Sequence, residues 1–198
     1  MSIDLLLHFE GSNGSTTFTD ECGHTVTPGG SAQISTGTSV FGTGSGYFNG
    51  TNSRLAVTGG TSLQPSGAFT VELRFKVTDP SPQQCLFDFW NSGSGNGVRL
   101  DVYGGDLHMS LENVTGGLGT TYSSGLAIST GVFHHVAVSK SGNTTKVFYD
   151  GNQVTTVTTA VTFSTYDEYS IGAVPSGVCF FGGFMDFFVL FQAYTLKI

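Results

Sequence analysis

The chain reads as an all-β protein, an antiparallel sandwich of two sheets. Three observations predict this. Short segments alternate apolar with polar side chains, glycine-bearing turns separate them, and no stretch has helical periodicity. Of 198 residues 29 are Gly, about twice the usual ~7% share. With 38% hydrophobic and 13% aromatic residues, the chain has enough apolar surface for a core, so it is not a disordered polymer. Its length suits one domain over residues 1–198.

The elements follow in order. Leu5 to Phe9 opens the domain and runs into the turn-rich stretch Glu10 to Gly14. Phe69 to Val77 is the clearest strand, with five apolar residues on one face and Thr, Glu, Arg and Lys on the other. Val98, Leu100 and Val102 alternate with Arg99, Asp101 and Tyr103. Gly104-Gly105-Asp106 then turns the chain into Leu107, Met109 and Leu111, which predicts a hairpin. Val136 and Val138 begin another strand, turned at Ser141-Gly142-Asn143 into Lys146 to Tyr149. Asp150-Gly151 is the favoured dipeptide of a type I′ turn, and Thr155 to Thr162 suits a strand. About a dozen short strands imply the two-sheet sandwich.

The last of them, Gly182 to Phe191, is apolar on both faces. Strict alternation puts Phe184, Asp186, Phe188 and Leu190 on one side and Met185, Phe187, Val189 and Phe191 on the other. Leaving four large side chains in water forfeits roughly 1.5–3 kcal/mol each, so this second row calls for a cover. It is the candidate protein interface.

Composition excludes several classes. The formal charge is −7 and the seven Lys and Arg residues are scattered, which is no footprint for nucleic acid. No run of about 18 apolar residues spans a bilayer, so no membrane partner is expected. The start, Met1-Ser2-Ile3-Asp4, lacks a basic region and cleavage site, so no secretory leader is read. Cys22, Cys85 and Cys179 lack metal-like spacing and read as reduced thiols of a protein made in a cytosol.

Several motifs occur together in a telling order: Gly46-Tyr47-Phe48-Asn49-Gly50-Thr51, Phe69 to Phe75, Phe133-His134-His135-Val136-Ala137-Val138, Tyr149-Asp150-Gly151, Ile171-Gly172 and Gly183-Phe184-Met185-Asp186. This order resembles concanavalin A-like lectin/glucanase domains of the laminin-G type across nearly the whole chain. The opening, Leu5 to Asp20, is similar to the version found in bacteriophage structural proteins. The resemblance implies a curved jelly-roll sandwich that hosts lectins, hydrolases or structural modules. The sequence departs from the pattern at Phe133, where Trp is usual, at Asn49, where Asp is common, and at Phe187 and Val189, where an acidic residue and Arg are common.

Glycoside hydrolysis needs a carboxyl pair flanking the bond. None of Glu10, Glu21, Glu72, Glu112 and Glu168 begins the Glu-x-Asp-x-x-Glu pattern of glucanases of this fold, and Gly-x-Ser-x-Gly is absent. No catalytic residue is assigned. His134 and His135 are adjacent, so a regular strand sends them to opposite faces and they cannot chelate together. Asp20 and Asp186 match positions near which some relatives bind calcium; the alternative is a carboxylate accepting N–H bonds from a turn. No cofactor is otherwise expected. The run Gly42 to Gly46 is turn chemistry, since no helix follows to gather backbone N–H groups on a phosphate.

Two functions are weighed. The first is a non-enzymatic structural protein of a phage particle, on capsid or tail, made in the host cytoplasm and displayed on the virion. It attaches to virion proteins or to itself as a homo-oligomer through Met185, Phe187, Val189 and Phe191. The second is a lectin-like module contacting host or environmental polysaccharide, with Trp90 as platform beside Asp88 and Asn91, and Tyr103 and Tyr122 as further contacts.

Overall fold

The computed structural model describes residues 2–59, 63, 67–91, 96–112, 120–160 and 168–193. They form two antiparallel sheets packed as a sandwich of the jelly-roll kind. In spatial order the eight-stranded sheet holds β13 (Asn152–Thr158), β12 (Thr144–Tyr149), β11 (His134–Ser141), β6 (Phe69–Val77), β15 (Gly182–Gln192), β4 (Ser45–Asn49) and β3 (Gln33–Ser35). Its eighth strand, β1 (Ser2–Leu7), shares one edge of β15 with β4: β4 pairs residues 182–185 and β1 pairs residues 188–192. The seven-stranded sheet runs β10 (Thr120–Ser123), β9 (Asp106–Glu112), β8 (Asn96–Tyr103), β7 (Gln84–Asn91), β14 (Tyr169–Ile171), β5 (Arg54–Thr58) and β2 (Thr25–Gly29).

Local chemistry explains the turns. Asp150 and Gly151 both have positive φ (46° and 82°), as a type I′ hairpin requires, and Gly104 and Gly105 do the same between β8 and β9 (60° and 82°). β6 covers the predicted residues and alternates throughout, with Phe69, Val71, Leu73, Phe75 and Val77 buried. β13 starts earlier than the Thr run suggests, at Asn152, and ends at Thr158; residues 161–162 of that expectation lie outside the described residues.

The core lies between the sheets. Phe188 of β15 packs edge-on against Phe87 and Phe89 of β7, at centroid distances of 6.1 and 6.3 Å. Phe89 in turn meets Tyr169 at 4.4 Å. Gly172 sits close under the Phe48 ring with φ 82°; a Cβ there would come within 2.6 Å of that ring.

β15 departs from strict alternation. A bulge at Phe187 inserts one unpaired residue between Asp186, opposite Arg74, and Phe188, opposite Leu73. Phe187 takes the left-handed conformation, φ 64°, which a bulky side chain rarely adopts. One extra residue inverts the facing of everything before it relative to everything after. Met185 therefore points into the core with Phe188 and Leu190, and Phe184 points outward.

The candidate interface row is corrected accordingly. Met185 is wholly buried in the core, and Val189 is wholly buried beside Leu6 of β1, so neither is available to a partner. Phe187 and Phe191 stay on the outer surface, each half-buried.

Candidate ligand-binding face

The outer face of the eight-stranded sheet carries an unbroken row of large side chains. Cross-strand partners share a face, and the register runs Gln33 opposite Tyr47, Tyr47 opposite Phe184, and Phe184 opposite Lys76. Phe133, just before β11, closes the row. The Tyr47 and Phe184 rings are 5.3 Å apart, tilted by 47°. Lys76 Nζ lies 4.7 Å from the Phe184 centroid and 5.2 Å from that of Phe133, and donates to Thr38 Oγ1 at 2.8 Å. At the ordinary strand spacing the rings from Tyr47 to Phe133 span about 14 Å. All five residues are half-exposed.

A second line runs beside the first. Arg74 lies between His135 and Asp186 in register, and its guanidinium sits over the Phe41 ring at 5.2 Å. Phe41 meets Phe187 edge-on at 6.0 Å, and Phe187 meets His8 at 6.2 Å. Phe41 belongs to a strap, residues 36–44, that joins β3 to β4 across this face. Besides Lys76, four side chains pin the strap. Asp186 Oδ2 accepts the N–H groups of Val40 and Phe41, Glu10 accepts the N–H and hydroxyl of Thr43, Asn13 accepts from Thr36 N, and Ser45 donates to Thr38 O. The strap's tip is apolar and exposed, Val40 by 41% and Phe41 by 49%.

The electrostatics of this face differ from those of the chain. Among the described residues neither Arg74 nor Lys76 has a carboxylate within 4 Å, although the chain carries a net −7. The acids nearby are engaged: Glu72 with His135 Nε2 at 3.4 Å, Asp186 with the strap. Burial pushes the Asp186 carboxyl above its usual range, against the strap's N–H bonds, which lower it.

The seven-stranded sheet holds the other candidates, and the structure separates them. Asp88, Arg99 and Asp101 share its outer face with Tyr103, and Asp88 is wholly buried there, out of reach of a sugar hydroxyl. Asp101 lies 2.9 Å from Arg99 Nε as an ion pair and accepts from Gln83 Nε2 at 3.0 Å, and burial raises its carboxyl. Tyr103 is 52% exposed and stands edge-on to His108 at 5.6 Å. Tyr122 pairs with Met109 and packs against the core, on the opposite face from Tyr103, so the two cannot line one groove. The backbones of Trp90 and Asn91 pair with Gly97 and Asn96; their side chains lie outside the described residues.

Three further sites were singled out by sequence. Asp20 accepts from Leu6 N, His24 N and His24 Nδ1, the last at 2.6 Å. Both oxygens of Asp20 accept from donors, while at Asp186 only Oδ2 does; among the described residues no three ligating side chains gather at either. Both carboxylates act as anchors for a neighbouring segment. His134 and His135 point to opposite faces. His134 Nδ1 lies 2.8 Å from Asp150 Oδ2, and Nε2 lies 3.0 Å from Ser129 Oγ and 3.2 Å from the Ser129 carbonyl. The trio clamps the loop before β11 to the β12–β13 turn.

A cleft of about 420 Å³ opens where the Asn49-Gly50 turn, Thr78 to Gln84 and Cys179 to Gly182 meet. Its polar side chains are spent internally: Asn49 on the N–H groups of Thr51, Asn52 and Ser53, Asp79 on Ser81, and Gln84 on Gly182 N. It offers a ligand little.

Residues 49–195 match the model of the concanavalin A-like lectin/glucanases superfamily, Laminin_G_3 type, and the chain belongs to that family. No curated protein matches the sequence. Among solved structures, the botulinum neurotoxin serotype D binding domain is similar over 98% of this chain and 49% of its own, at 12% identity and a TM-score of 0.73. The binding domain of botulinum neurotoxin DC in complex with SialylT is similar over the same shares, at 11% identity and a TM-score of 0.71. The chain thus spans about half the length of these structures, and at such identities the likeness is one of fold.

Proposed function

We propose that this chain is a non-enzymatic recognition module that binds saccharide across the outer face of its eight-stranded sheet. One observation carries the reading: Tyr47, Phe184 and Phe133 form a half-exposed row of rings about 14 Å long, with Gln33 at one end and the Lys76 ammonium between Phe184 and Phe133. The apolar faces of pyranose rings stack on such platforms, while short polar groups orient the hydroxyls. The fold supports this reading, being shared with toxin binding domains.

The test is a glycan array probed with the full chain and with a Tyr47→Ala/Phe184→Ala variant. Binding that is lost in that variant and kept in Trp90→Ala locates the site here. Loss in Trp90→Ala alone moves it to the seven-stranded sheet, and a blank array sinks the saccharide reading.

A second reading rests on a different patch. Ile3, 47% exposed, lies opposite Phe191 in register, and Phe187 and Phe41 continue the apolar surface beside it. On a phage particle this patch would attach the module to a virion protein or a second copy, leaving the aromatic row free for saccharide. A light-scattering mass that stays at one chain, alone and with particles, would count against it.

A further inference from the structure

We infer that the saccharide this face takes is acidic, its carboxylates held by Arg74 and Lys76. The inference rests on the saccharide reading above and names the class of sugar. Of the seven basic residues, Arg54 is paired with Glu168 at 2.8 Å and Arg99 with Asp101 at 2.9 Å. Arg74 and Lys76 are held differently. They stand two residues apart on the outward side of β6, half-buried, with aromatic rings over or beside each cation; Asp186 faces Arg74 across the strands, but neither cation has a carboxylate within 4 Å among the described residues.

Cation–π contacts replace only part of the hydration that burial removes from an ammonium or guanidinium. Lys76 has three N–H bonds and directs one to Thr38 Oγ1. The guanidinium of Arg74 has five, in the planar fork that matches a carboxylate. The acids on this face direct their oxygens elsewhere, Glu72 to His135 and Asp186 to the strap, so neither occupies the N–H groups of Arg74 or Lys76, although Asp186 still offsets part of the Arg74 charge. A sugar ring lying on Tyr47 and Phe184 brings a ring carboxylate to the Lys76 ammonium, and a carboxylate projecting from the side of the row faces Arg74 in the line beside it. Two cations without an ion-pair partner, Lys76 within the row of rings and Arg74 beside it, complement a polymer that is apolar on its ring faces and anionic at its edge.

The experiment compares binding of the full chain to polygalacturonate and to the same polymer after reduction of its carboxyls. Affinity for the charged polymer should be about tenfold higher or more, and should fall with added salt. An Arg74→Met/Lys76→Met variant keeps an unbranched apolar side chain at each position and removes both charges, and it should bind both polymers equally and weakly. Equal binding of both polymers by the wild type overturns the acidic assignment and leaves the saccharide reading standing. Binding of neither polymer overturns the acidic assignment, and a blank glycan array alongside it overturns the saccharide reading as well. Equal capture of polyglutamate, an acidic chain without sugar rings, overturns the acidic-sugar assignment in favour of an acidic peptide partner.

Discussion

The carboxylate of Asp186 accepts the backbone N–H of Phe41 at 2.9 Å, joining two residues 145 positions apart in the chain. The same oxygen accepts from Val40. This contact lays the strap of residues 36–44 across the outer face of β15, between the ringed row and the apolar patch. Replacing Asp186 with Ala removes the acceptor from two N–H groups, and the strap should loosen. A loss of about 1–3 kcal/mol is expected by urea unfolding, with faster amide exchange at Val40 and Phe41 than in the wild type. Unchanged exchange there would show that Glu10 and Asn13 hold the strap without it.

Neighbouring phenylalanines in β15 should respond in opposite ways. Phe188→Ala empties a site between Phe87 and Phe89 and should cost about 3–5 kcal/mol. Phe187→Gly relieves a left-handed φ worth about 1–2 kcal/mol at the expense of a half-exposed ring, and should be neutral or stabilising. Equal losses in the two urea midpoints would mean that Phe187 is not the bulged residue.

Phe187 also bears on assembly. Phe187→Asp should leave the sandwich folded, because the side chain stands outside the core, while removing any association that uses the patch with Ile3 and Phe41. Light scattering reads the mass and circular dichroism the fold. An associated wild type whose variant keeps the same mass would exclude this patch.

The Asp106 carboxyl is held at about 2 by hydrogen bonds from the Ser123 and Ser124 hydroxyls and from the Leu126 and Gly125 N–H groups, which outweigh the opposing effect of burial. Its folded value lies below the unfolded one near 3.8, so the folded state binds fewer protons and the stabilisation is present above that value. Discounted for screening by solvent it amounts to about 1 kcal/mol, and it should be lost as pH falls from 4 toward 2. Asp106→Asn should be less stable by about that amount at pH 7, and the gap should close in acid. A gap that persists at pH 2 would place the effect in packing.

The three thiols should react in order of burial. Cys22 is exposed, Cys179 half-buried and Cys85 wholly buried, and burial pushes the Cys85 thiol well up. Under native conditions a thiol reagent should label Cys22 first and Cys85 only on unfolding. Early labelling of Cys85 would show that the outer face of β7 opens readily.

Sequence alone determined the elements whose chemistry is local. The alternation from Phe69 to Val77 needs one dry face, the glycines at 104 and 105 need positive φ, and Asp150-Gly151 needs a type I′ turn. Each is settled within a few residues, so each was legible, as was the inward facing of Phe188 and Leu190. Tertiary structure decided what depends on register and partners. The bulge at Phe187 reversed the facing of Met185 and Phe184, because a period of two carries no memory across an inserted residue. Tyr103 and Tyr122 were parted onto opposite faces by their pairing with Asp106 and Met109. The row from Gln33 to Phe133 draws on strands far apart in the chain. No local pattern announces it, because strand order alone brings those side chains within 5 or 6 Å of one another.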